Sequence, residues 1–369
     1  MRIVPIANIN LDNLRYNYST IRRKTGDAKI FAVVKADAYG HGLMPISRSL
    51  EKMGIDGFCA AVISEIEKLI QAGISKPILH LGRLHKEVLE LNYHTNIWYT
   101  VNAVDDIPLL KWATNRSSDP IVVHLKIDTG MGRMGVPMRD APEIAHTLSQ
   151  MSGVHLKGLW SHLATSDESD SQYFYQQLKR FSDTLKTIMS RIDGITHLHI
   201  ANSAAMLRYP ESHFTMVRPG LALYGASLIQ DNETVLRPVM SLNAPVTLIK
   251  YMKTGDSIGY NRTEILRRDK TIAIVQAGYA DGIPIEASNR GYARWKNELY
   301  PIIGKISMDM LVLDVTDSDI TPGQIVNLWG SDDPRMRVES IASALGKLPY
   351  ELLTSISDRV EKQYTGTPV

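Results

Sequence analysis

Short apolar segments rich in β-branched residues recur along the first part of the chain and predict eight β-strands. These segments follow one another at intervals of roughly 20 to 40 residues, which leaves room for a helix between neighbours. They cover residues 30–36, 57–63, 77–82, 97–101, 121–127, 156–163, 197–201 and 217–224.

Amphipathic stretches with helical periodicity separate several of these strands. Residues 64–73 begin with Ser64 as a predicted N-cap and end at Gly73. Residues 170–192 repeat apolar side chains at steps of three and four, namely Phe174, Leu178, Phe181, Leu185 and Ile188. Strands that alternate with helices form a parallel sheet. Eight such units predict an α/β fold with an N-terminal (β/α)8 TIM-type barrel.

The pattern changes after residue 230, where strands are predicted with few helices between them. These strands cover residues 244–251, 271–276, 300–315 and 324–329, and prolines punctuate the segment. We therefore expect a boundary near Asp231, with a barrel domain over residues 1–231 and a C-terminal mainly-β domain over residues 232–369. Residues 1–9 are a candidate strand of the second domain.

Composition and charge exclude several classes of protein. The chain has 369 residues, of which 44% are hydrophobic and 22% charged, as in ordinary globular proteins. Its 41 basic residues balance 39 acidic ones and form no cluster, so nucleic acid is not an expected partner. Cys59 is the only cysteine, which excludes an intrachain disulfide and a cysteine-based zinc site. The histidines have no acidic partners at metal-ligand spacing, so no metal is predicted.

The sequence also shows no targeting signal. Its first residues lack the apolar core of a signal peptide, and no apolar run reaches the ~20 residues needed to span a bilayer. We therefore expect a cytoplasmic location and no membrane association.

Reactive side chains fall at the predicted strand ends, where barrels of this kind carry their chemistry. In strand order they are Lys35 and Tyr39, Lys126 and Arg133, His162, Ser203, and finally Arg218 and Gly220. Lys35 follows four apolar residues on a strand that should be buried. A lysine there loses hydration, and its neutral amine can form a Schiff base with an aldehyde. The alternative is a lysine that reaches solvent from a strand end.

A phosphate site in such barrels commonly uses the loops after the seventh and eighth strands. Ser203 supplies a hydroxyl there, and Gly220 lets a phosphate approach the backbone. A reactive lysine beside a phosphate site indicates pyridoxal 5′-phosphate as cofactor.

The segment Gly130–Gly135 matches G-x-G-x-x-G, the glycine pattern of dinucleotide sites. Pro137 and Pro142 interrupt the helix that such a site needs, and residues 150–160 contain no acidic residue. We therefore reject a nucleotide site. Arg133 on this loop is better suited to a carboxylate, because its planar guanidinium binds both oxygens.

Several blocks of sequence resemble the alanine racemase family. They are Val33-Val34-Lys35-Ala36-Asp37-Ala38-Tyr39-Gly40-His41-Gly42, Lys126-Ile127-Asp128-Thr129-Gly130-Met131-Gly132-Arg133, Arg218-Pro219-Gly220-Leu221, Gly278-Tyr279-Ala280-Asp281-Gly282, Ser307-Met308-Asp309 and Pro349-Tyr350-Glu351. The blocks occur in family order and cover nearly the whole chain.

The resemblance implies an isomerase that interconverts L-alanine and D-alanine, supplying D-alanine for peptidoglycan. It implies that Lys35 holds pyridoxal phosphate and shares the base role with Tyr260, which the other subunit of a homodimer contributes together with Met308. The resemblance further implies that Arg218 faces the pyridine nitrogen beside His162, and that the substrate carboxylate is bound by Arg133 and the backbone of Met308. It implies that Lys126 is often carbamylated. The implied phosphate contacts are Tyr39, Ser203, Gly220, Leu221 and Tyr350.

The chain departs from the family pattern near the substrate corridor, at Glu264, Ile285 and Lys305. A racemase of another small amino acid, such as serine, is therefore the first alternative. A decarboxylase of basic amino acids is disfavoured because we find neither its glycine-rich phosphate loop nor its cysteine motif. A non-catalytic, single-barrel pyridoxal phosphate protein would lack Tyr260 and everything that follows Asp231.

Overall fold

The computed structural model describes residues 4–93, 96–117, 119–229 and 235–366. The strands of its first part are β1 (Ile6–Asn10), β2 (Lys29–Val33), β3 (Gly57–Ala60), β4 (Ile78–His80), β5 (Ile97–Val101), β6 (Ile121–Asp128), β7 (Val136–Pro137), β8 (Val154–Trp160), β9 (His197–His199) and β10 (Met216–Val217). Strands β2 to β6 and β8 to β10 lie side by side in the order β10-β2-β3-β4-β5-β6-β8-β9, with all pairs parallel. The amide of Thr215 donates to the carbonyl of Leu198 at 3.2 Å and nearly closes the ring. The predicted barrel is confirmed.

Helices follow the barrel strands as the periodicity predicted. They are α1 (Leu11–Thr25), α2 (Lys35–Tyr39), α3 (Leu43–Lys52), α4 (Ile63–Gln71), α5 (Lys86–Leu89), α6 (Asp106–Thr114), α7 (Ala141–Gln150), α8 (Gln172–Met189) and α9 (Ser203–Arg208). Of these, α2 was not predicted, and its backbone is left-handed. Helix α8 buries Phe174, Phe181 and Ile188, the stripe that its sequence shows. Helix α4 begins one residue before Ser64, so the predicted N-cap lies inside the helix. None of the helices in the described ranges is long and apolar enough to cross a membrane.

The second part of the chain is mainly β, as predicted. Its strands are β11 (Met240–Met252), β12 (Ser257–Ile258), β13 (Glu264–Ile265), β14 (Lys270–Val275), β15 (Tyr292–Trp295), β16 (Glu298–Pro301), β17 (Leu311–Asp314), β18 (Ile325–Trp329) and β19 (Glu361–Thr365). Two helices that the sequence pattern did not predict, α10 (Val338–Leu345) and α11 (Pro349–Thr354), precede the last strand. Short 3-10 turns lie at Glu90–Tyr93, Pro210–Ser212, Tyr260–Arg262, Tyr279–Asp281, Ile285–Ala287 and Pro334–Met336.

Strand β1 pairs with strands from the other end of the chain. It lies antiparallel to β11, with Ile6 opposite Asn243, and parallel to β19, with Ile9 opposite Tyr364. The opening segment thus lies in the sheet of the second part. The predicted boundary at Asp231 lies outside the described residues.

Six of the eight barrel strands are shorter than predicted, and the early ends of two of them matter for the site. The strand expected at residues 30–36 ends at Val33. The amide of Val34 still donates to the carbonyl of Cys59 in β3, and the backbone leaves the sheet where the φ angles become positive at Ala36. The strand expected at residues 217–224 ends at Val217. Pro219 has no N–H to continue a ladder there, so the following residues form turns. Both early endings place reactive residues just beyond the barrel.

Candidate active site

Ten of the twelve residues predicted for the site line one cavity at the C-terminal ends of the barrel strands. The cavity has a volume of about 540 Å³. The ten residues are Lys35, Tyr39, Lys126, Arg133, His162, Ser203, Arg218, Gly220, Leu221 and Tyr350. Tyr260 and Met308 do not line it, and their side chains are 69% and 51% exposed.

Lys35 stands at the start of a left-handed turn. Ala36, Asp37, Ala38 and Tyr39 have φ angles between +51° and +54°. Left-handed helical backbone costs about 1–2 kcal/mol per non-glycine residue, so this turn is strained. The expectation that Lys35 is buried on a strand is wrong, because β2 ends two residues earlier and the lysine side chain is exposed in the single chain.

A carboxylate at the start of α4 ties this turn to the next barrel strand. Glu65 accepts hydrogen bonds from the amide of Ala36 at 2.7 Å and from the amide of Ala61 at 2.7 Å. Ala61 directly follows β3. One side chain therefore fixes the ends of β2 and β3, and the backbone that carries the Lys35 side chain is held in a defined position.

Arg218 is buried and held by three acceptors. One terminal nitrogen donates to the carbonyls of Ser161 at 2.9 Å and Ile200 at 3.4 Å, and the other donates to Nδ1 of His199. A guanidinium has donors only, so Nδ1 of His199 accepts and its Nε2 carries the proton. That Nε2–H lies 2.8 Å from Nδ1 of His124 and donates to it.

The charges in this chain of contacts are also defined. Burial and the positive charge of Arg218 lower the pKa of His199 and His124 well below their usual range, which keeps both imidazoles neutral. Burial lowers the pKa of Arg218 to about 10, so its guanidinium remains charged at neutral pH. Arg218 is therefore a charged group held in a fixed position at the cavity, with two neutral histidines behind it.

Trp160 contacts two of the cations. The Nζ of Lys126 lies 4.4 Å from the centre of the Trp160 ring, and the Cζ of Arg218 lies 4.6 Å from it. The indole N–H is buried and has no hydrogen-bond partner among the described residues. Burial, followed by the charges of Arg133 and Arg218, lowers the pKa of Lys126 to about 8. A substantial fraction of Lys126 is therefore neutral near pH 8.

One wall of the cavity carries hydroxyl groups and backbone amides. Ser203 Oγ accepts from the amides of Gly220 at 2.9 Å and Ala222 at 3.2 Å. A Cβ at position 220 would lie 2.5 Å from the hydroxyl of Tyr39, so this position requires glycine. Burial raises the pKa of Tyr39, and it raises the pKa of Tyr350 to about 12. Both hydroxyls stay protonated as hydrogen-bond donors, which are the groups a phosphate binds.

His162 is positioned by a buried glutamine. Gln177 of α8 is fully buried, and its Nε2 donates to the carbonyl of His162 at 3.1 Å. The Oε1 of Gln177 accepts from the amide of Ala164 at 2.9 Å. Burial and the charges of Arg218, Arg133 and Lys126 lower the pKa of His162 well below its usual range. The imidazole facing the cavity is therefore neutral.

Arg133 belongs to a glycine loop that is closed by Asp128. The Oδ1 of Asp128 accepts from the amides of Gly130 at 2.9 Å and Met131 at 2.8 Å. The loop leads into strand β7 and not into a helix, since α7 begins only at Ala141. The rejection of a dinucleotide site agrees with this geometry, and Arg133 is left exposed at the edge of the cavity.

Tyr260 and Met308 lie on exposed turns of the second part of the chain. The loop of Met308 is hydrogen-bonded to the loop of Tyr279, with the amide of Ala280 3.1 Å from the carbonyl of Met308. Other apolar side chains in this part are also exposed by 42% or more, namely Ile265, Ile285 and Met310. Exposed apolar groups in this number fit a contact with another protein surface.

The three departures from the family pattern lie in the same part of the chain. Ile285 is 47% exposed, and Glu264 faces Lys270 at 3.8 Å. A Cβ on Gly259 would lie 3.1 Å from the backbone nitrogen of Lys305. Lys305 is therefore next to the turn that carries Tyr260.

Four supporting residues escaped the sequence analysis. They are Glu65, Trp160, Gln177 and His199. Gln177 left a signal, because it is a polar residue within the apolar stripe of α8 and such a side chain needs buried partners. Glu65, at the third position of a helix, fits the capping position and could also have been found. Trp160 and His199 look like ordinary core residues of a strand.

The cavity fits an anionic cofactor. Lys35, Lys126, Arg133 and Arg218 line it, and none of the described residues that line it is a carboxylate. An exposed primary amine, a fixed guanidinium and a wall of hydroxyl and amide donors match an aldehyde, a ring nitrogen and a phosphate. Elsewhere in the described ranges, no group of three or more histidine, cysteine, aspartate or glutamate residues is arranged to hold a metal ion.

Comparisons with known proteins identify relatives over the whole chain. The alanine racemase N-terminal domain model matches residues 9–228, and the C-terminal domain model matches residues 239–364. Alanine racemase 1 of Clostridium acetobutylicum is 35% identical, over 97% of this chain and 94% of its own length. The alanine racemase of Sorangium cellulosum is 36% identical, over 97% of this chain and 98% of its own length.

Solved structures show the same relationship. The crystal structure of alanine racemase from Bartonella henselae, which contains covalently bound pyridoxal phosphate, has a TM-score of 0.89 at 28% identity and covers 99% of this chain and 100% of its own. The structure of alanine racemase from Clostridium difficile has a TM-score of 0.93 at 32% identity, over 100% of this chain and 97% of its own. Fold, family models and full-length relatives agree: the chain belongs to the alanine racemase family.

Proposed function

We propose that the chain is an alanine racemase that uses pyridoxal 5′-phosphate to interconvert L-alanine and D-alanine. The observation that carries this proposal is the single cavity in which Lys35, Arg218 and the donors around Gly220 meet. Membership of the family supports it. When bound, pyridoxal phosphate withdraws electrons from the α-carbon of an amino acid and so makes the α-proton acidic.

The residues that would hold the cofactor follow from the chemistry of the cavity. Lys35 would supply the amine for the aldehyde, and Arg218 would face the pyridine nitrogen with His162 beside it. Because Arg218 keeps its proton at neutral pH, it would leave that nitrogen largely unprotonated. The phosphate contacts are assigned to Tyr39, Ser203, Gly220, Leu221 and Tyr350.

The substrate carboxylate is assigned to Arg133, whose exposed guanidinium offers paired donors. Lys126 is the candidate for carbamylation, because only a neutral amine reacts with carbon dioxide and its pKa of about 8 provides that form. A carbamate at Lys126 would give Arg133 a negative partner.

Racemisation needs a proton to leave one face of the α-carbon and another to arrive on the opposite face. Two bases on opposite faces achieve this without large movement, and one positioned base is typically worth about 10²–10⁴-fold in rate. We assign the two roles to Lys35 and to Tyr260 of a second subunit. The exposure of Tyr260 and Met308 in the single chain supports a homodimer in which both side chains enter the partner's cavity.

The experiment follows L-alanine in D₂O with pyridoxal phosphate by circular dichroism and proton NMR. We expect optical activity to disappear while deuterium enters the α-position. Tyr260→Phe should slow inversion by about 10²–10⁴-fold, and deuterium should still enter one enantiomer without inversion. Tyr292→Phe, a change at another exposed tyrosine, serves as control and should racemise alanine as fast as the unchanged protein does.

Three other outcomes would each redirect the assignment. Exchange without inversion in the unchanged protein would indicate a pyridoxal phosphate enzyme of another reaction type. Exchange with serine but not alanine would identify a serine racemase and focus attention on Glu264, Ile285 and Lys305. Cofactor binding without any exchange would indicate a non-catalytic protein. A supply of D-alanine for peptidoglycan is the role we infer for the product, and the cytoplasmic location stays a prediction.

A further inference from the structure

The left-handed turn after Lys35 is held from a distant part of the chain. Backbone of this kind persists only where surrounding contacts fix it, and Glu65 reaches only its first amide. Beyond that amide, Asp37, His41 and Gly42 contact side chains of strand β19, while Gly40 lies against the backbone of Leu353 in α11. The two segments are separated by more than 300 positions in sequence, as the interval of 325 between Asp37 and Lys362 shows.

The first contact from β19 is an ion pair. The Nζ of Lys362 donates to Oδ2 of Asp37 at 2.6 Å, and the lysine side chain is only 18% exposed. The other oxygen of Asp37 accepts from the amide of Leu43 at 2.8 Å. Asp37 therefore joins the turn to the start of α3, and Lys362 holds the carboxylate that makes this connection.

The second contact is made by a tyrosine. The hydroxyl of Tyr364 donates to the carbonyl of His41 at 3.0 Å. A Cβ at Gly42 would lie 1.9 Å from this hydroxyl, so the tyrosine packs directly on the backbone. His41 in turn places its Nδ1 2.8 Å from the carbonyl of Tyr39, the last residue of the turn.

Both side chains belong to a strand that is anchored independently. Lys362 and Tyr364 are two residues apart and so point to the same face of β19, whereas Gln363 points to the other. The backbone of β19 pairs in register with β1, including Ala7 with Lys362 and Ile9 with Tyr364. The strand thus offers a fixed support against which the turn rests.

We propose that Lys362 and Tyr364 are positioning residues for Lys35, acting through the turn and the backbone as far as Gly42. They hold the strained backbone from which the Lys35 side chain departs, and neither lines the cavity. The inference rests on the proposed function of Lys35 as the cofactor lysine.

The test compares Lys362→Met and Tyr364→Phe with Gln363→Met, a change of similar size on the opposite face of the strand. Hydrogen exchange of the peptide spanning residues 35–43 is measured by mass spectrometry in the apoprotein and the holoenzyme. We expect exchange in this peptide to accelerate about tenfold in the first two variants, as for the loss of one hydrogen bond. Exchange in the core strands of the barrel should not change, and Gln363→Met should leave both regions unchanged.

The holoenzyme provides a second readout. In Lys362→Met the absorption spectrum of the bound cofactor should shift, and kcat should fall about tenfold while KM for alanine stays within about twofold. Lys362→Arg, which keeps a donor for Asp37, should restore the exchange rate, the spectrum and kcat.

The proposal is overturned if exchange accelerates equally throughout the protein, if the turn peptide is unaffected, or if the spectrum and kcat stay unchanged although the turn has loosened. Failure of Lys362→Arg to rescue would overturn it as well. Lys35→Ala separates this result from the proposed function: if that variant still forms the same covalent cofactor spectrum, the assignment of Lys35 fails, whereas the exchange data for the turn remain valid.

Discussion

Arg218 and His199 are hydrogen-bonded inside the barrel, and the direction of that bond fixes the tautomer of the histidine. The proton of His199 is on Nε2, where it is donated to His124. All three side chains are almost completely buried, with exposures of 4%, 0% and 0%. The position of the guanidinium in the cavity is therefore set by groups that no substrate touches.

Replacement of His199 by phenylalanine should destabilise the protein and loosen the cofactor site. It leaves an Arg218 donor and the Nδ1 of His124 without partners, at a cost of about 1–3 kcal/mol for each buried polar group. Chemical denaturation of the apoprotein measures the loss, and titration with pyridoxal phosphate measures the weaker binding. His146→Phe on the exposed face of α7 is the control and should change the free energy of unfolding by less than about 0.5 kcal/mol. Equal effects of the two changes would contradict the assigned role.

Gln177→Leu should reduce stability by roughly 2–4 kcal/mol, because the amide of Ala164 and the hydroxyl of Thr129 lose a buried partner. The free energy of unfolding from urea titration checks this value. The neighbouring Gln176 is exposed on the same helix, so Gln176→Leu is a matched control with little expected effect. A change of the same size in both variants would show that Gln177 is an ordinary helix residue.

Stability should decrease as the pH falls from about 6.5 to about 4. Burial lowers the pKa of His41 and of His80 to about 4, so in this window the unfolded chain binds protons that the folded chain excludes. Each such histidine contributes a slope of up to about 1.4 kcal/mol per pH unit. Above the usual histidine pKa both states are neutral, so these histidines add no further pH dependence and the free energy of unfolding is at its highest value.

The unfolding free energy of His80→Gln, measured at pH 7 and pH 5, tests this origin. The free energy of unfolding of this variant should change less with pH than that of the unchanged protein, by the contribution of one histidine. His155→Gln, a change at an exposed position of β8, should keep the full dependence. If the slope of His80→Gln matched that of His155→Gln, another group would be responsible.

Lys126 should take up carbon dioxide when the protein is equilibrated with ¹³C-bicarbonate near pH 8. A carbamate signal in the ¹³C NMR spectrum is expected, and it should be absent in Lys126→Arg. Lys157 is the matched control, because it also lies over an indole ring, at 4.1 Å from Trp98, and burial also lowers its pKa. Lys157→Arg should retain the signal; its loss there would move the modification to Lys157.

Mixing two inactive variants should restore activity if Tyr260 serves the partner's cavity. Lys35→Ala and Tyr260→Phe are each expected to be inactive. A mixed dimer of a symmetric homodimer then contains one intact site, and random exchange of subunits should recover about a quarter of the original activity. No recovery after verified subunit exchange would place Tyr260 in the cavity of its own chain.

Sequence alone predicted the barrel because strand and helix periods alternate clearly, and it predicted the cavity because barrel chemistry lies at strand ends. Its errors occurred where three-dimensional contacts override a local pattern. The apolar run before Lys35 continues past Val33, but the backbone leaves the sheet for a left-handed turn that Glu65, Lys362 and Tyr364 support. No local signal reveals supports that come from so far along the chain. Helices α10 and α11 were missed because they lie between strands β18 and β19, in a part of the chain where the pattern predicted few helices.

The neighbouring positions of β1 and β19 have a consequence for how this protein is made. Strand β1 is synthesised first, yet its parallel partner leaves the ribosome about 350 residues later, which at 5–20 residues per second is a delay on the order of tens of seconds. During that interval one edge of β1 has no partner, and the segment after Lys35 lacks its support. The nascent chain can therefore assemble barrel strands early, but it cannot acquire its finished reaction centre until synthesis is nearly complete.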